Sequence, residues 1–380
     1  MQQSIFSLLT PDRIISAAES FTGKSFDGTI TPYNSYVNRV FGLTGEDGTD
    51  FIIKFYRPGR WTKEAVAEEH QFLKDCKEAE VPVVAPLSSA GFPEKTTGTF
   101  MCSRNLISET PSTAFYYAVF PRLRARTFDI YTDEDWIRTG RAIGRMHLAG
   151  QKRSAPHRLQ CTPQQTTIPY ITMLLEQNLV TPVLQHEFTG ICSSALDYVL
   201  EAYASVFGEA DENGMYHTAA FRRIHGDCHR GNILEQFVSQ SPASADTEDT
   251  SSITLIDFDD MMTGPAVQDL WLLLPGYRKD SERELELLLK GYEEFICPDG
   301  NGGSSSTGTV PGIRRQLRLI EPLRFMRNIY FIAWTAVQRN DEGFSKRYPE
   351  WGSKAFWETE IEDLKTQLGV LEEEYNEETD

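Results

Sequence analysis

IHGDCHRGN, residues 224–232, sets a carboxylate (Asp227) and a carboxamide (Asn232) five positions apart, directly after an apolar residue and a His-Gly pair. A chain that leaves a strand and turns sharply here aims both side chains into one pocket. Gly226 permits the turn, and His225 braces it by hydrogen bonding. The plain alternative is a polar turn, with Asp227 and Asn232 serving as turn formers. The spacing suits a loop in which the acid takes a hydroxyl proton and the amide oxygen holds a metal ion.

Working outward, LIDFDD (255–260) is an apolar run that delivers an acid, Asp257, where it stops being apolar. Between the two acids lie ILEQF, a polar stretch and SITLI, which read as a hairpin bringing Asp227 and Asp257 side by side. Two carboxylates and an amide around Mg²⁺ make electrostatic sense, because the cation offsets their repulsion. Transfer of the γ-phosphoryl group of ATP needs such a set, with a proton acceptor and a cation on the phosphates. Lys54, in FIIKFYR, is the candidate cation, although a mid-strand lysine is usually solvated. Glu69 lies 15 residues on, within a helix opened by Thr62, and is placed to hold that ammonium; Glu68 is an equally placed rival. Asn34 and Ser35, in TPYNSYVNRVF, are expected in a tight hairpin whose N–H groups and Ser35 hydroxyl cap a phosphate, or else in an ordinary turn. Asp269, in GPAVQDLW, is expected to be structural, accepting backbone N–H bonds from the 225–232 loop. Arg57 and Arg60 read as surface charge, Cys228 as filler and His229 as a solvated loop residue.

Bulk properties narrow the class. The chain has 380 residues and a net charge of −18, with much of the acid after Phe356. That balance disfavours nucleic-acid and anionic-lipid partners and suits cationic ones, with solubility the simplest explanation. Six scattered cysteines without a CxxC pair argue against a disulfide framework or zinc site. The N-terminus lacks the pattern of a signal peptide, and the longest late apolar region, 329–337, is too short to span a bilayer. The expectation is a cytoplasmic protein.

The first third reads mainly as strands, with helices at TPDRIISAAESF and TKEAVAEEHQFLKDCKEA and a hairpin of YVNRVFGLT with DFIIKFYR around GEDG. From about residue 122 helical patterns dominate. Polar insertions occupy 235–252 and 297–312. The expected architecture is therefore α+β and bilobal: a sheet-rich N-lobe over 1–121 and a mainly helical C-lobe over 122–380, with a ligand in the cleft.

The HGDxxxxN signature followed by I-D-F-D resembles the aminoglycoside phosphotransferase/choline kinase branch of the protein-kinase-like fold. PYNSYVNRV, IIKFYRPGRW, EEHQFL, VPVVAP, YYAVFP, HGDCHRGNIL, GPAVQDLW and IEPLRFMR are, in order and spacing, similar to the bacterial stress response kinase A group from about residue 30 to 340. The resemblance implies Asp227 as proton acceptor, Asn232 and Asp257 as metal ligands, Ser35 as a nucleotide contact and Lys54 as the phosphate lysine. It implies phosphoryl transfer to protein Ser/Thr in a stress response. Adenine is expected near the Phe120–Arg122 linker. Asp257 and Asp269 are only 12 positions apart, which leaves no room for a long activation segment, so no activating phosphate is expected. A small-molecule kinase acting on an aminoglycoside, choline-like or amino-acid hydroxyl shares the chemistry. A non-catalytic nucleotide-binding module is the reading from another class.

Overall fold

Alternation in DFIIKF decides the first sheet. In the computed structural model, which describes residues 5–35, 37–102, 113–236, 252–296, 311–341 and 343–379, Phe51, Ile53 and Phe55 enter an apolar core while Lys54 takes the opposite face. That core is completed by helix α1 (Pro11–Thr22), which starts on Pro11 and stops at Gly23 in the left-handed region. Strands β1 (Phe26–Tyr33), β2 (Arg39–Gly45) and β3 (Asp50–Phe55) run antiparallel. Helix α2 (Lys63–Glu78) follows, with the Thr62 hydroxyl accepting from Ala65 N–H as its cap. Strands β4 (Gly98–Cys102) and β5 (Thr113–Pro121) close a five-stranded sheet of order β1-β2-β3-β5-β4. Phe120 lies within β5, opposite Ile52, rather than in a linker.

The described chain forms two compact units. The first takes in residues up to Asp129 together with Arg230–Asp259. Strand β6 (Arg126–Thr127) accounts for this, because it joins a three-stranded sheet with two later strands that come from the expected hairpin.

The second unit, Ile130–His229 with Asp260–Asp380, begins with α3 (Asp133–Gly150), opened by a capping box of Thr132 and Asp135. It continues through α4 (Ile168–Glu176) and α5 (Gln185–Phe207) to β7 (Arg222–Ile224). The hairpin strands β8 (Ile233–Gln236) and β9 (Ser252–Leu255) belong to the first unit, and Val83 bridges to Leu255 there. Strand β10 (Met262–Gly264) pairs with β7, and the short α6 (Gln268–Trp271) leads to α7 (Glu282–Tyr292). Helices α3 and α7 approach closely at glycines: a Cβ on Gly140 would sit 2.0 Å from the Leu288 carbonyl oxygen. The chain ends through α8 (Ile313–Gln316), α9 (Ile320–Val337), α10 (Phe344–Arg347) and α11 (Lys354–Thr379).

The acidic end is thus a helix with a buried seam. Trp357, Ile361, Leu364 and Leu371 are all at most 3% exposed, and Trp357 meets Phe188 of α5 edge-on at 5.7 Å. Most of the two polar insertions, 237–251 and 297–310, lies outside the described residues. No helix among the described residues is long and apolar enough to cross a membrane. Cys76, Cys161, Cys192 and Cys228 are buried free thiols.

Candidate active site

The face of β3 opposite the apolar core carries Lys54, and burial there decides between the rival glutamates. Glu69 is 1% exposed, and its Oε1 lies 3.6 Å from Lys54 Nζ, while Glu68 is only half-buried. Tyr56 adds to the clamp, donating its hydroxyl proton to Glu69 Oε1 at 3.1 Å and contacting His70 Nε2 at 3.0 Å. The strand lysine is therefore buried and held, not solvated.

Two further carboxylates reach the same ammonium: Asp257 Oδ1 at 3.2 Å and Asp259 Oδ1 at 3.3 Å. Burial alone would pull the Lys54 pKa down, but Asp259, Glu69 and Asp257 together raise it well above the ordinary lysine value. Lys54 is a permanent cation. The sequence reading missed Asp259, although the DD that closes LIDFDD offered it. It also misplaced Arg60, expected at the surface: its Nε lies 3.4 Å from Asp259 Oδ2 and its side chain is 16% exposed. Arg57 is likewise half-buried, donating from Nε to the Val37 carbonyl at 3.1 Å. Both arginines follow the turn after β3 inward, because that turn brings RPGRW back over the unit.

Asp257 has φ of 61°, a left-handed conformation that costs a non-glycine residue about 1 kcal/mol or more. Its neighbour Ile256 donates its N–H to the Asn232 carbonyl at 3.0 Å, so the β8–β9 pairing sets Asn232 beside Asp257. Asn232 is 9% exposed, whereas the Asp257 side chain is 57% exposed. A carboxylate and an amide oxygen are hard donors of the kind that would suit a divalent cation such as Mg²⁺. Ser35 lies, half-buried, between β1 and β2, with its carbonyl accepting from Arg39 Nη1 at 3.2 Å. Phe120 is half-buried, its ring edge-on to His70 at 6.3 Å.

In the second unit, Asp269 is 0% exposed and accepts the N–H of His225 at 2.7 Å and of Gly226 at 2.8 Å, the bracing expected from GPAVQDLW. Gly226 has φ of 82°, and a Cβ there would lie 2.2 Å from the Asp260 carbonyl oxygen, so only glycine fits this turn. Gln268 Nε2 donates to the Gly226 carbonyl at 3.0 Å, and Asp227 N–H points to His225 Nδ1 at 3.3 Å. His147, from the GRMHLAG stretch of α3, completes the brace with Nε2 2.9 Å from Asp269 Oδ2 and Nδ1 3.1 Å from the Tyr292 hydroxyl. Burial lowers its pKa, so the ring is neutral, donating to Asp269 and accepting from Tyr292.

Asp227 itself is gripped by Arg327 of α9, whose Nη2 donates to Oδ1 at 2.7 Å. Its carboxyl is pushed up by burial; Arg327 opposes that, Asp260 adds to it, and His229 and His225 oppose it. His229 Nε2 stands 3.7 Å from Asp227 Oδ2 with a 45% exposed side chain. Arg327 was not singled out in the sequence. An arginine inside the apolar run FMRNIYFIAW was its signal.

An α+β chain with these two clusters is a phosphotransferase of kinase type. The phosphotransferase enzyme family model matches residues 29–302, and the chain belongs to that family. Within it, the chain groups with the stress response kinases A: it is 33% identical over 374 residues to Stress response kinase A of Escherichia coli (strain K12), covering 97% of this chain and 95% of that protein. It is 30% identical over 368 residues to the serine/threonine protein kinase RdoA of Salmonella typhimurium, with 97% and 95% coverage. Among solved structures, the amicoumacin kinase hAmiN, in complex with AMP-PNP, Ca²⁺ and Ami, matches with a TM-score of 0.63 at 14% identity over 96% of this chain and 95% of that one. A microcompartment-associated aminopropanol kinase matches with a TM-score of 0.63 at 13% identity over 97% and 98%. These two likenesses establish the shared fold.

Proposed function

We propose that this protein is an ATP- and Mg²⁺-dependent kinase that phosphorylates Ser/Thr hydroxyls of proteins in a stress response. The buried Lys54–Glu69 pair carries this reading, because a cation held by carboxylates on the inner side of a strand has no structural need that an apolar residue would not meet better. When bound, Mg²⁺ would neutralise phosphate charge. Asn232 and Asp257 are the residues to hold it, and Lys54 the one to face the phosphates. Asp227, kept in place by Arg327 and the Asp269 brace, would accept the proton of the incoming hydroxyl. Ser35 and the β1–β2 turn would cap a phosphate, and Phe120 would lie against the base. The protein acceptor is supported by similarity, over nearly the full chain, to a relative named as a serine/threonine protein kinase.

The test incubates the unphosphorylated protein with Mg-ATP labelled at the γ position, a generic protein acceptor and a panel of small alcohols. Label is expected in polypeptide, lost by about 10³-fold or more in Asp227→Asn and strongly reduced in Lys54→Ala. Label only in a small alcohol replaces the protein acceptor with a metabolite, and nucleotide binding without transfer rejects the kinase reading. A requirement for prior phosphorylation of the chain would contradict the site's assembly without an activating phosphate.

A further inference from the structure

Behind Lys54, within the first unit, a line of buried polar side chains leads away from the candidate site. Tyr56, just past β3, is 1% exposed, and Lys54 Nζ lies 4.8 Å over its ring. His70, next to Glu69 on α2, is 3% exposed. Its Nε2 is 3.0 Å from the Tyr56 hydroxyl, and its Nδ1 is 2.8 Å from the Thr96 hydroxyl and 3.1 Å from that of Thr97. The two threonines stand immediately before β4. The roles in this chain are fixed from its charged end. Glu69 pairs with the Lys54 ammonium and only accepts, so the single proton of Tyr56 goes to Glu69 Oε1 at 3.1 Å. The Tyr56 oxygen then accepts from His70, which places the ring proton on Nε2. In the neutral ring Nδ1 is left as an acceptor, and the threonine hydroxyls donate to it. Burial, then Glu69, pushes the Tyr56 phenol well above its ordinary pKa, with Lys54 opposing, so the proton stays on Tyr56.

Polar groups buried this deeply cost desolvation that only a complete set of partners offsets, and apolar residues of the same shape would serve packing as well. Here each donor points along the chain toward Glu69, so each link polarises the next and strengthens the last hydrogen bond, the one on the carboxylate. We propose that Tyr56 and His70 are positioning residues of the phosphate site: with Thr96 they form a directed hydrogen-bond chain that fixes the Glu69 carboxylate, and through it the Lys54 ammonium, where the phosphates of the nucleotide bind. The proposal rests on the kinase reading for the nucleotide, while the direction of the chain stands without it. The His70 ring is also edge-on to Phe120 at 6.3 Å, so it sits between the phosphate lysine and the side chain that would lie against the base. Without the Tyr56 hydroxyl, Lys54 remains a cation but loses the fixed carboxylate that aims it. The effect therefore falls on the phosphates and not on the base.

Nitrogen NMR of the full-length protein with isotope-labelled histidine reads the chain directly, the His70 signals being assigned by their loss in His70→Gln. A protonated Nε2 and a bare Nδ1 are expected; the opposite tautomer overturns the chain. Calorimetry then compares a non-hydrolysable ATP analogue with Mg²⁺ against adenosine, which has no phosphates. In Tyr56→Phe, which removes one oxygen, and in His70→Leu, the analogue should bind roughly tenfold more weakly and adenosine as in the wild type. Equal losses for both ligands overturn the positioning role and leave a structural one. His70→Gln keeps an N–H donor near the place of Nε2 and should recover most of the loss. Because the residues act in one chain, Tyr56→Phe/His70→Leu should lose no more than the larger single loss; additive losses overturn the proposal. In phosphoryl transfer the two single variants should lose roughly tenfold in kcat, with the acceptor KM unchanged. Transfer by the wild type with both variants unimpaired keeps the kinase and overturns the positioning role. The expected tautomer and the phosphate-selective binding loss, without transfer to any acceptor, keep the chain and remove the kinase.

Discussion

At the residue scale, Asp227 and Arg327 define what the second cluster can do. A carboxylate at the end of a tight turn is an ordinary feature; one gripped at 2.7 Å by an arginine from a helix a hundred residues away is not. Burial raises the Asp227 pKa and Arg327 restrains the rise, so the ionised form is lost as pH falls through an elevated value. Removing the arginine takes away the positive charge that favours the ionised form. Arg327→Gln is therefore expected to move the acidic limb of the kcat/KM profile to higher pH, with Arg327→Lys moving it less. Losing a charge-assisted hydrogen bond also costs about 1.5–3 kcal/mol, or roughly tenfold to a hundredfold in kcat/KM. The check is a pH–rate series on the three proteins, and an unmoved limb would assign it to another group. The acid was legible because its spacing to Asn232 is local, while Arg327 was hidden because only the packing of α9 brings it near.

At the element scale, β3 and α11 show what patterning does and does not disclose. In DFIIKF the alternation places Lys54 opposite the apolar core, and helical spacing puts a glutamate within its reach. Sequence could not choose between Glu68 and Glu69, because one step along a helix turns a side chain by about 100° and burial alone makes the choice. For α11 the signal was present and masked. Trp357, Ile361, Leu364, Leu368 and Leu371 follow spacings of four and three, the seam of a packed helix, under an acidic composition that reads as a solvated tail. Trp357 is 0% exposed against Phe188, and Trp357→Ala is expected to destabilise by about 3–5 kcal/mol. With an unfolding entropy of about 2.1 cal/mol/K per residue, a chain of 380 residues would lose roughly 4–6 °C in melting temperature. Differential scanning calorimetry is the measurement, with Glu372→Ala as the control; a shift no larger than the control's would mean that the helix adds little to the fold.

At the scale of the whole molecule, fold class and kinase class were readable because they rest on contiguous motifs: the loop at 224–232, the segment that follows β9 to Asp257 and the Asp269 brace. His147, Asp259 and Arg60 were not, since each gains its meaning from partners that lie near it only after folding, Asp269 for the first and the Lys54 cluster for the other two. The net charge of −18 is a property of the entire chain, and it acts differently from any pocket. A diffuse negative field attracts a basic acceptor over distances that salt screens, with a Debye length of about 8 Å at physiological ionic strength and about 3 Å at 1 M. With an arginine-flanked Ser peptide as acceptor, kcat/KM is therefore expected to fall as salt rises, through KM and not kcat, toward the value of the matched citrulline peptide, whose own kcat/KM should change little. Kinetics of both peptides across a salt series are the check. If salt leaves the kcat/KM of the arginine peptide unchanged, or lowers that of both peptides alike, the molecular charge has no part in acceptor capture.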